Sequence, residues 1–200
     1  GLSRGVFSNE SGLGSSPIAA AAAKTKHPVE QAMVSMTQTF IDTIVVCTFT
    51  ALIIIVSGLW GMENGASLTA SAFANSLTTE NGFAFGNYVV AICLVFFAYS
   101  TLLGWSYYGE KAIGYLTGER PVAIKAYKVV FILFVMMGAV AKLPLVWSIA
   151  AVFTGLMLLP NLVALLALSP LVARLTNDYF ENERTGEGYR IKPFHRLYDD

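Results

Sequence analysis

The chain is poor in charged residues and in the side chains that build metal sites and disulfides. Only 13% of its 200 residues are charged, against about 25% in an average soluble domain. It has two cysteines, Cys47 and Cys93, both in apolar runs where a free thiol behaves as a small hydrophobic group. His27 and His195 lie in polar connectors, which predicts surface roles. With no HExxH, CxxC or phosphate-binding loop, the sequence disfavours an enzyme and a resident cofactor.

Four long apolar stretches hold most of the hydrophobic residues, and the charges fall between them. A membrane-spanning helix needs about 20 apolar residues. The stretches cover residues 40–60, 88–109, 129–141 and 145–173. The third spans if its flanks contribute, and the fourth is long enough to be tilted, or bent at Pro160. A soluble helical protein is the alternative, but the chain has too few polar groups to cover four buried helices.

The sequence therefore predicts an all-α integral membrane protein in three parts. Residues 1–27 form a polar turn and a short helix, with Ser16 as N-cap and Pro17 in the first turn. Residues 28–176 form the four-helix transmembrane region, in which an external loop carries a short amphipathic helix. Residues 177–200 form a polar tail, which we expect to be partly disordered.

The basic residues predict the orientation. Cytoplasmic loops carry excess Lys and Arg, and every Lys and Arg except Lys142 falls before the first stretch, between the second and third, or after the fourth. We expect a multi-pass protein of the plasma membrane with both ends cytoplasmic. The basic residues are spread over three connectors and form no single patch, so we expect no nucleic-acid partner.

Several strings resemble one transporter family. RGVFSNESGLGSSPIAAAAAKT from Arg4, HPVEQ from His27, FIDT from Phe40 and YSTLLGWSYYGE from Tyr99 are similar to the alanine/glycine:cation symporter family of sodium-coupled amino acid carriers. The match runs over essentially the whole chain. It resembles the carboxy-terminal part of that family, from the cytoplasmic end of a broken helix onwards. We therefore expect a missing amino-terminal half to complete the protein.

The resemblance implies a fold and a function. The four helices would form part of the second inverted repeat of a LeuT-type (APC superfamily) transporter. The protein would be a secondary active transporter that symports sodium with alanine or glycine by alternating access. Its partners would be the small neutral amino acid, the sodium ion and membrane lipid. A non-transporting membrane anchor or assembly subunit is the alternative, and a membrane enzyme is a third that lacks a visible nucleophile.

The second apolar stretch holds the predicted sodium site. Ser100 and Thr101 place two hydroxyls in an apolar run, three and four residues after Phe97, whose carbonyl lies close to both on a helix. Neutral oxygens of this kind suit a hard cation. Taken alone, the residues favour hydroxyls that bond back to the preceding turn. The resemblance implies instead that the Phe97 carbonyl, Ser100 and Thr101 bind sodium.

Thr101 and Trp105 are the predicted amino acid site. They lie four residues apart and share a helix face, and Gly104 beside them allows close approach. The resemblance implies that the Thr101 hydroxyl bonds a polar end of the substrate and that the Trp105 indole closes a small apolar wall. Trp105 as an interfacial aromatic residue is the alternative, because Tyr107 and Tyr108 follow it.

Three further polar positions stay open on sequence alone. Asp42 stands near the start of an apolar run, as either a cation or proton site or an interfacial, hydrogen-bonded residue within a turn of the helix end. Lys142 either reaches the interface or pairs with an acid. Thr154 and Asn161 share a face of the last helix, which predicts hydrogen bonds between helices.

Overall fold

The computed structural model describes residues 2–62, 65–78 and 85–186. Regular structure in these ranges is helical, apart from the bridge residue Thr78, so the all-α prediction is confirmed for the described part. The helices are α1 (Leu2–Asn9), α2 (Ser16–Ala20), α3 (Pro28–Ser57), α4 (Ala66–Ser76), α5 (Phe85–Thr117), α6 (Pro121–Val140) and α7 (Leu143–Thr185).

Four of these helices, α3, α5, α6 and α7, are long and apolar enough to cross a membrane, which confirms the predicted number. Each begins before its apolar run, because helical hydrogen bonding continues through the polar residues that precede the run. Pro28 and Pro121 begin two of them, and proline suits the first helical turn because its missing N–H has no partner there.

Glycines end two of the long helices. Gly58 after α3 and Gly186 after α7 both have a φ of 72°, a left-handed conformation that glycine adopts without a Cβ clash. The amide of Gly58 donates to the Ile55 carbonyl over 3.1 Å, and that of Gly186 donates to the Asn182 carbonyl over 2.8 Å. Carbonyls in the last turn of each helix are thus satisfied.

Helix α7 is continuous through Pro160 and Pro170. A proline inside a helix leaves the carbonyl four residues earlier without its usual N–H donor, and for Pro170 that carbonyl belongs to Leu166. The Ser169 hydroxyl donates to the Leu166 oxygen over 2.9 Å. A neighbouring side chain therefore supplies the hydrogen bond that the proline ring removes.

Helix α3 changes its winding in the middle. Two α-helical segments, Pro28–Phe40 and Cys47–Ser57, flank a π-helical turn at Ile41–Val46. The Cys47 amide, which follows this turn, donates to the main-chain oxygen of Asp42, five residues earlier. The interfacial alternative for Asp42 assumed that the helix ends within one turn of it. The helix begins earlier, at Pro28, so Asp42 lies near the centre of a 30-residue helix and two residues after the start of the apolar run.

The chain forms two compact units, and the first comprises Gly1–Thr39 and Val135–Asp200. Its buried residues include Leu13, Val29 and Tyr179, and the polar residues Ser15, His27 and Asp178. The predicted surface role of His27 is wrong. His27 is 1% exposed, and its ring centroid lies 5.2 Å from that of Tyr179. Its Nδ1 accepts a hydrogen bond from the Val29 amide over 3.3 Å, because the amides in the first turn of α3 have no acceptor within the helix.

The amino-terminal part differs from its prediction in detail. Helix α1 takes up the first part of the expected polar turn, which is confined to the residues between α1 and α2, and the N-cap of α2 is Ser15 instead of Ser16. The Ser15 side chain does not cap the helix, because its hydroxyl donates to the Glu10 carboxylate over 2.8 Å. At the other end of the chain, α7 continues to Thr185 within the expected tail, and residues 187–200, with His195, lie outside the described residues.

The second unit is Phe40–Phe134. The helix expected in the loop between the first two apolar stretches is α4, which packs on the start of α5. A Cβ on Gly86 would overlap the Phe73 main chain, so the glycine allows the two helices to touch. Ala72 of α4 and Val90 of α5 are both buried.

Candidate functional site

The four predicted site residues all lie on α5. This helix is 33 residues long, so one rigid element fixes the spacing of Phe97, Ser100, Thr101 and Trp105. The Ser100 hydroxyl donates to the Phe97 carbonyl over 3.1 Å. The structure thus shows the bond to the preceding turn that the residues alone predict, and it brings together two of the three oxygens proposed to bind sodium.

This part of α5 is open within the described structure. The Phe97 side chain is 62% exposed, and Ser100 and Thr101 are also exposed. Gly104 is expected to allow a close approach, and among the described residues nothing lies within 4 Å of a Cβ built on it. The hydroxyls are therefore accessible to a ligand or to further protein.

Trp105 is more enclosed than Thr101. It is half-buried, and its indole meets the Tyr108 ring edge-on with centroids 5.8 Å apart. Its main-chain oxygen accepts a hydrogen bond from the Tyr127 hydroxyl of α6 over 3.4 Å. The indole is thus held by a neighbour on its own helix, and its backbone is tied to the next helix.

Sequence reasoning missed the contact between Gly109 and Tyr127. A Cβ on Gly109 would overlap the hydroxyl and ring of Tyr127, so this ring lies directly on the bare backbone of α5. One residue further along both helices, the Lys128 ammonium lies 2.9 Å from the Glu110 carboxylate. That pair is partly exposed, at 48% and 31%, so solvent screening leaves it a small contribution.

A separate cavity lies within the first unit. It has a volume of about 790 Å³ and is lined by the loop after α1, the first turns of α3 and part of α7. Polar lining residues include Glu10, Lys26, Gln31 and Asn161. None of the four predicted site residues is among the described residues that line it.

Known proteins are similar to this sequence over nearly its whole length. The profile of the sodium:alanine symporter family matches residues 1–193. The chain is 53% identical over 186 residues to the sodium/alanine symporter AgcS of Methanococcus maripaludis. This match covers 90% of this chain and 39% of that protein. It is 37% identical over 190 residues to the probable sodium/glutamine symporter GlnT of Bacillus subtilis, covering 94% of this chain and 38% of that protein.

A third relative is the amino-acid carrier protein AlsT of Bacillus subtilis, at 32% identity over 186 residues, 93% of this chain and 39% of that protein. The chain spans about two fifths of the length of these curated relatives. No solved structure matches it. The profile match covers far more than half of the sequence, and the chain belongs to the sodium:alanine symporter family.

Proposed function

We propose that this chain contributes to a secondary active transporter that symports sodium with a small neutral amino acid, alanine or glycine, across the plasma membrane. Membership of the sodium:alanine symporter family supports the proposal, as do four helices suited to a membrane. The basic connectors support an orientation with both ends of the segment cytoplasmic. Transport, rather than catalysis, is the activity that this family implies.

The proposed architecture is the second inverted repeat of a LeuT-type carrier that works by alternating access. In such carriers the substrate and the ion bind near the middle of the membrane, at the interface of two repeats. The exposed apolar surfaces of the spanning helices, among them Phe96, Phe97 and Phe134, are suited to lipid or to another repeat. Residues supplied from outside this chain would complete the site.

The observation that carries the proposal is the oxygen pair on α5. The Ser100 hydroxyl and the Phe97 carbonyl are 3.1 Å apart, close enough for one small cation to contact both. A hydroxyl has lone pairs as well as a proton, so Ser100 can turn its hydrogen away from the carbonyl and present oxygen to sodium. The Thr101 hydroxyl, one residue later, would be the third ligand.

The amino acid would bind beside this ion. Thr101 and Trp105 lie one helical turn apart on the same face of α5. In the proposed pocket, the Thr101 hydroxyl bonds a polar end of the substrate and the Trp105 indole limits the side chain to a small one. Sodium would order Thr101 and so strengthen amino acid binding, and the amino acid would strengthen sodium binding by the same factor.

Sodium-dependent uptake of radiolabelled alanine by the full-length protein tests this site. Ser100→Ala should raise the sodium concentration for half-maximal uptake, and Thr101→Ala should raise the half-saturating concentrations of both sodium and alanine. Ser148→Ala is the matched control, because Ser148 also donates to a carbonyl of the preceding turn, that of Pro144, over 2.9 Å. Wild-type uptake in both α5 variants, at equal surface expression, would remove the site assignment.

Competition measurements test the substrate. Unlabelled alanine, glycine and glutamine are added separately to the uptake assay. The relative named for alanine is more similar to this chain than the one named for glutamine, at 53% against 37% identity, so alanine should compete best. Stronger competition by glutamine would overturn the proposed preference, and the absence of any sodium-dependent uptake would favour the anchor alternative.

A further inference from the structure

The Tyr127 ring occupies a notch in α5 directly beside Trp105. The notch exists because Gly109 has no side chain, and a Cβ there would overlap the Tyr127 hydroxyl and ring. Gly109 lies four residues after Trp105, so in a regular helix its amide donates to the Trp105 carbonyl. The Tyr127 hydroxyl reaches this same carbonyl, over 3.4 Å. One oxygen on α5 is thus shared by the helix and by its neighbour α6.

Tyr127 is itself supported on α6. Its ring lies 5.9 Å from the Phe131 ring, one turn further along, which limits how far the phenol can swing. On α5, the Trp105 indole is held edge-on by Tyr108. The hydroxyl therefore links the Tyr127–Phe131 ring pair to the main chain of Trp105, whose indole packs on Tyr108.

We propose that Tyr127 is a positioning residue for the amino acid pocket: it holds the backbone of Trp105 and so fixes where the indole stands relative to Thr101. Gly109 is the notch that lets the phenol reach that carbonyl. The inference rests on the proposed function, because it assumes that Trp105 contacts the amino acid. It assigns no contact between Tyr127 and the substrate.

The position of Tyr127 predicts which kinetic constant changes. A displaced Trp105 alters the fit of the amino acid, whereas Phe97 and Ser100 lie further from the tether and keep their geometry. Loss of the hydroxyl should therefore weaken alanine binding and leave sodium activation unchanged. The Lys128–Glu110 pair is a weak substitute for the tether, since it is partly exposed and screened by solvent.

Tyr127→Phe in the full-length protein is the main test, because it removes one oxygen and keeps the ring in the notch. We expect the KM for alanine uptake to rise about two- to fivefold, within the range that one neutral hydrogen bond allows. The maximal rate and the half-activating sodium concentration should stay as in wild type. Tyr115→Phe is the matched control, since Tyr115 is on α5 and 87% exposed.

A second pair of variants tests the notch. Gly109→Ala should displace the phenol and raise the KM for alanine at least as much as Tyr127→Phe. If Gly109→Ala fails to fold, the double variant Gly109→Ala with Tyr127→Ala removes the overlap, and it should restore expression while the KM stays raised. A double variant with wild-type KM would overturn the inference.

The outcomes separate this inference from the proposed function. In a Trp105→Phe background, Tyr127→Phe should have little further effect on the alanine KM, because the indole that it positions is gone. If Trp105→Phe and Thr101→Ala both leave the alanine KM unchanged, the proposed pocket is wrong. If those variants raise it and Tyr127→Phe does not, or if Tyr127→Phe lowers only stability and maximal rate, the positioning role alone is wrong.

Discussion

Asn161 ties the amino-terminal loop to α7: its side-chain amide donates to the main-chain oxygen of Gly12 over 2.9 Å, across a separation of 149 residues. A hydrogen bond between helices was predicted for Asn161, and the partner is instead a loop. Leu13, which follows Gly12, is buried, at 2% exposure. One side chain therefore holds the loop where its apolar residue is covered.

Asn161→Ala should loosen this loop. Loss of one hydrogen bond to a neutral carbonyl should lower the free energy of unfolding by about 0.5–1.5 kcal/mol, seen as a lower melting temperature in detergent. Asn177→Ala is the matched control, because Asn177 is an exposed asparagine on the same helix. Equal melting temperatures for the two variants would mean that the bond to Gly12 contributes nothing.

Gly14→Ala should destabilise the same loop for two reasons. Gly14 has a φ of 81°, a left-handed conformation in which a Cβ costs about 1–2 kcal/mol, and its Cβ would lie 2.9 Å from the Asn161 side-chain oxygen. We expect a lower melting temperature than in wild type. In an Asn161→Ala background the contact is relieved and the backbone strain stays, so the cost of Gly14→Ala should shrink but persist.

The control for Gly14→Ala is Gly155→Ala. Gly155 is inside α7, and a Cβ there meets nothing within 4 Å among the described residues. Alanine is a better helix former than glycine by about 0.5–1 kcal/mol, so this variant should melt at or above the wild-type temperature. Similar losses in both variants would show that added volume, and not the left-handed backbone, decides the effect.

The sequence predicts the spans well because apolar runs report directly where a membrane-crossing segment lies. It predicts helix ends poorly, since Pro28 and Thr185 lie among polar residues that continue helical hydrogen bonding. Burial of His27 beside Tyr179 joins residues far apart in the chain, and no local pattern encodes such a contact. Apolar periodicity shows which residues are hydrophobic, not which distant partner covers them.

In the candidate site, too, the sequence predicts local contacts and misses contacts between residues far apart in the chain. The spacing of Phe97, Ser100 and Thr101 within one helix predicts the 3.1 Å contact from Ser100 to the Phe97 carbonyl, because helical geometry is local. The tether from Tyr127 to Trp105 joins residues 22 positions apart. The only sequence sign of this contact is that Gly109 lies four residues after Trp105, on the same helix face. That sign is weak, because a glycine notch is recognisable only once the neighbouring helix is seen.

Ser169→Ala should destabilise the protein only while Pro170 is present. The Ser169 hydroxyl serves the Leu166 carbonyl that Pro170 leaves without an amide donor. Without the hydroxyl this carbonyl loses its hydrogen-bond donor, so the substitution should cost about 1 kcal/mol. In a Pro170→Ala background the restored amide serves the carbonyl, so the cost should vanish. Equal costs in the two backgrounds, measured as melting temperatures in detergent, would contradict this reading of the helix.

Asp42→Asn should reduce sodium-dependent alanine uptake. Asp42 lies near the middle of α3 and within its π-helical turn. Ionisable groups inside membrane helices are costly, and π-helical turns are frequent at functional sites. The amide keeps the shape of the carboxylate and removes its charge, so we expect about a tenfold loss, in line with the 1.5–3 kcal/mol of a hydrogen bond to a charged group.

Glu30→Gln is the control for Asp42→Asn, because it makes the same chemical change on the same helix. Glu30 lies in the first turn of α3, where its carboxylate accepts the Lys26 amide over 3.2 Å, outside the apolar run. Uptake per transporter at the cell surface should stay at the wild-type level in this variant. If Asp42→Asn also transports at the wild-type level, the charge of Asp42 has no part in transport and the prediction is wrong.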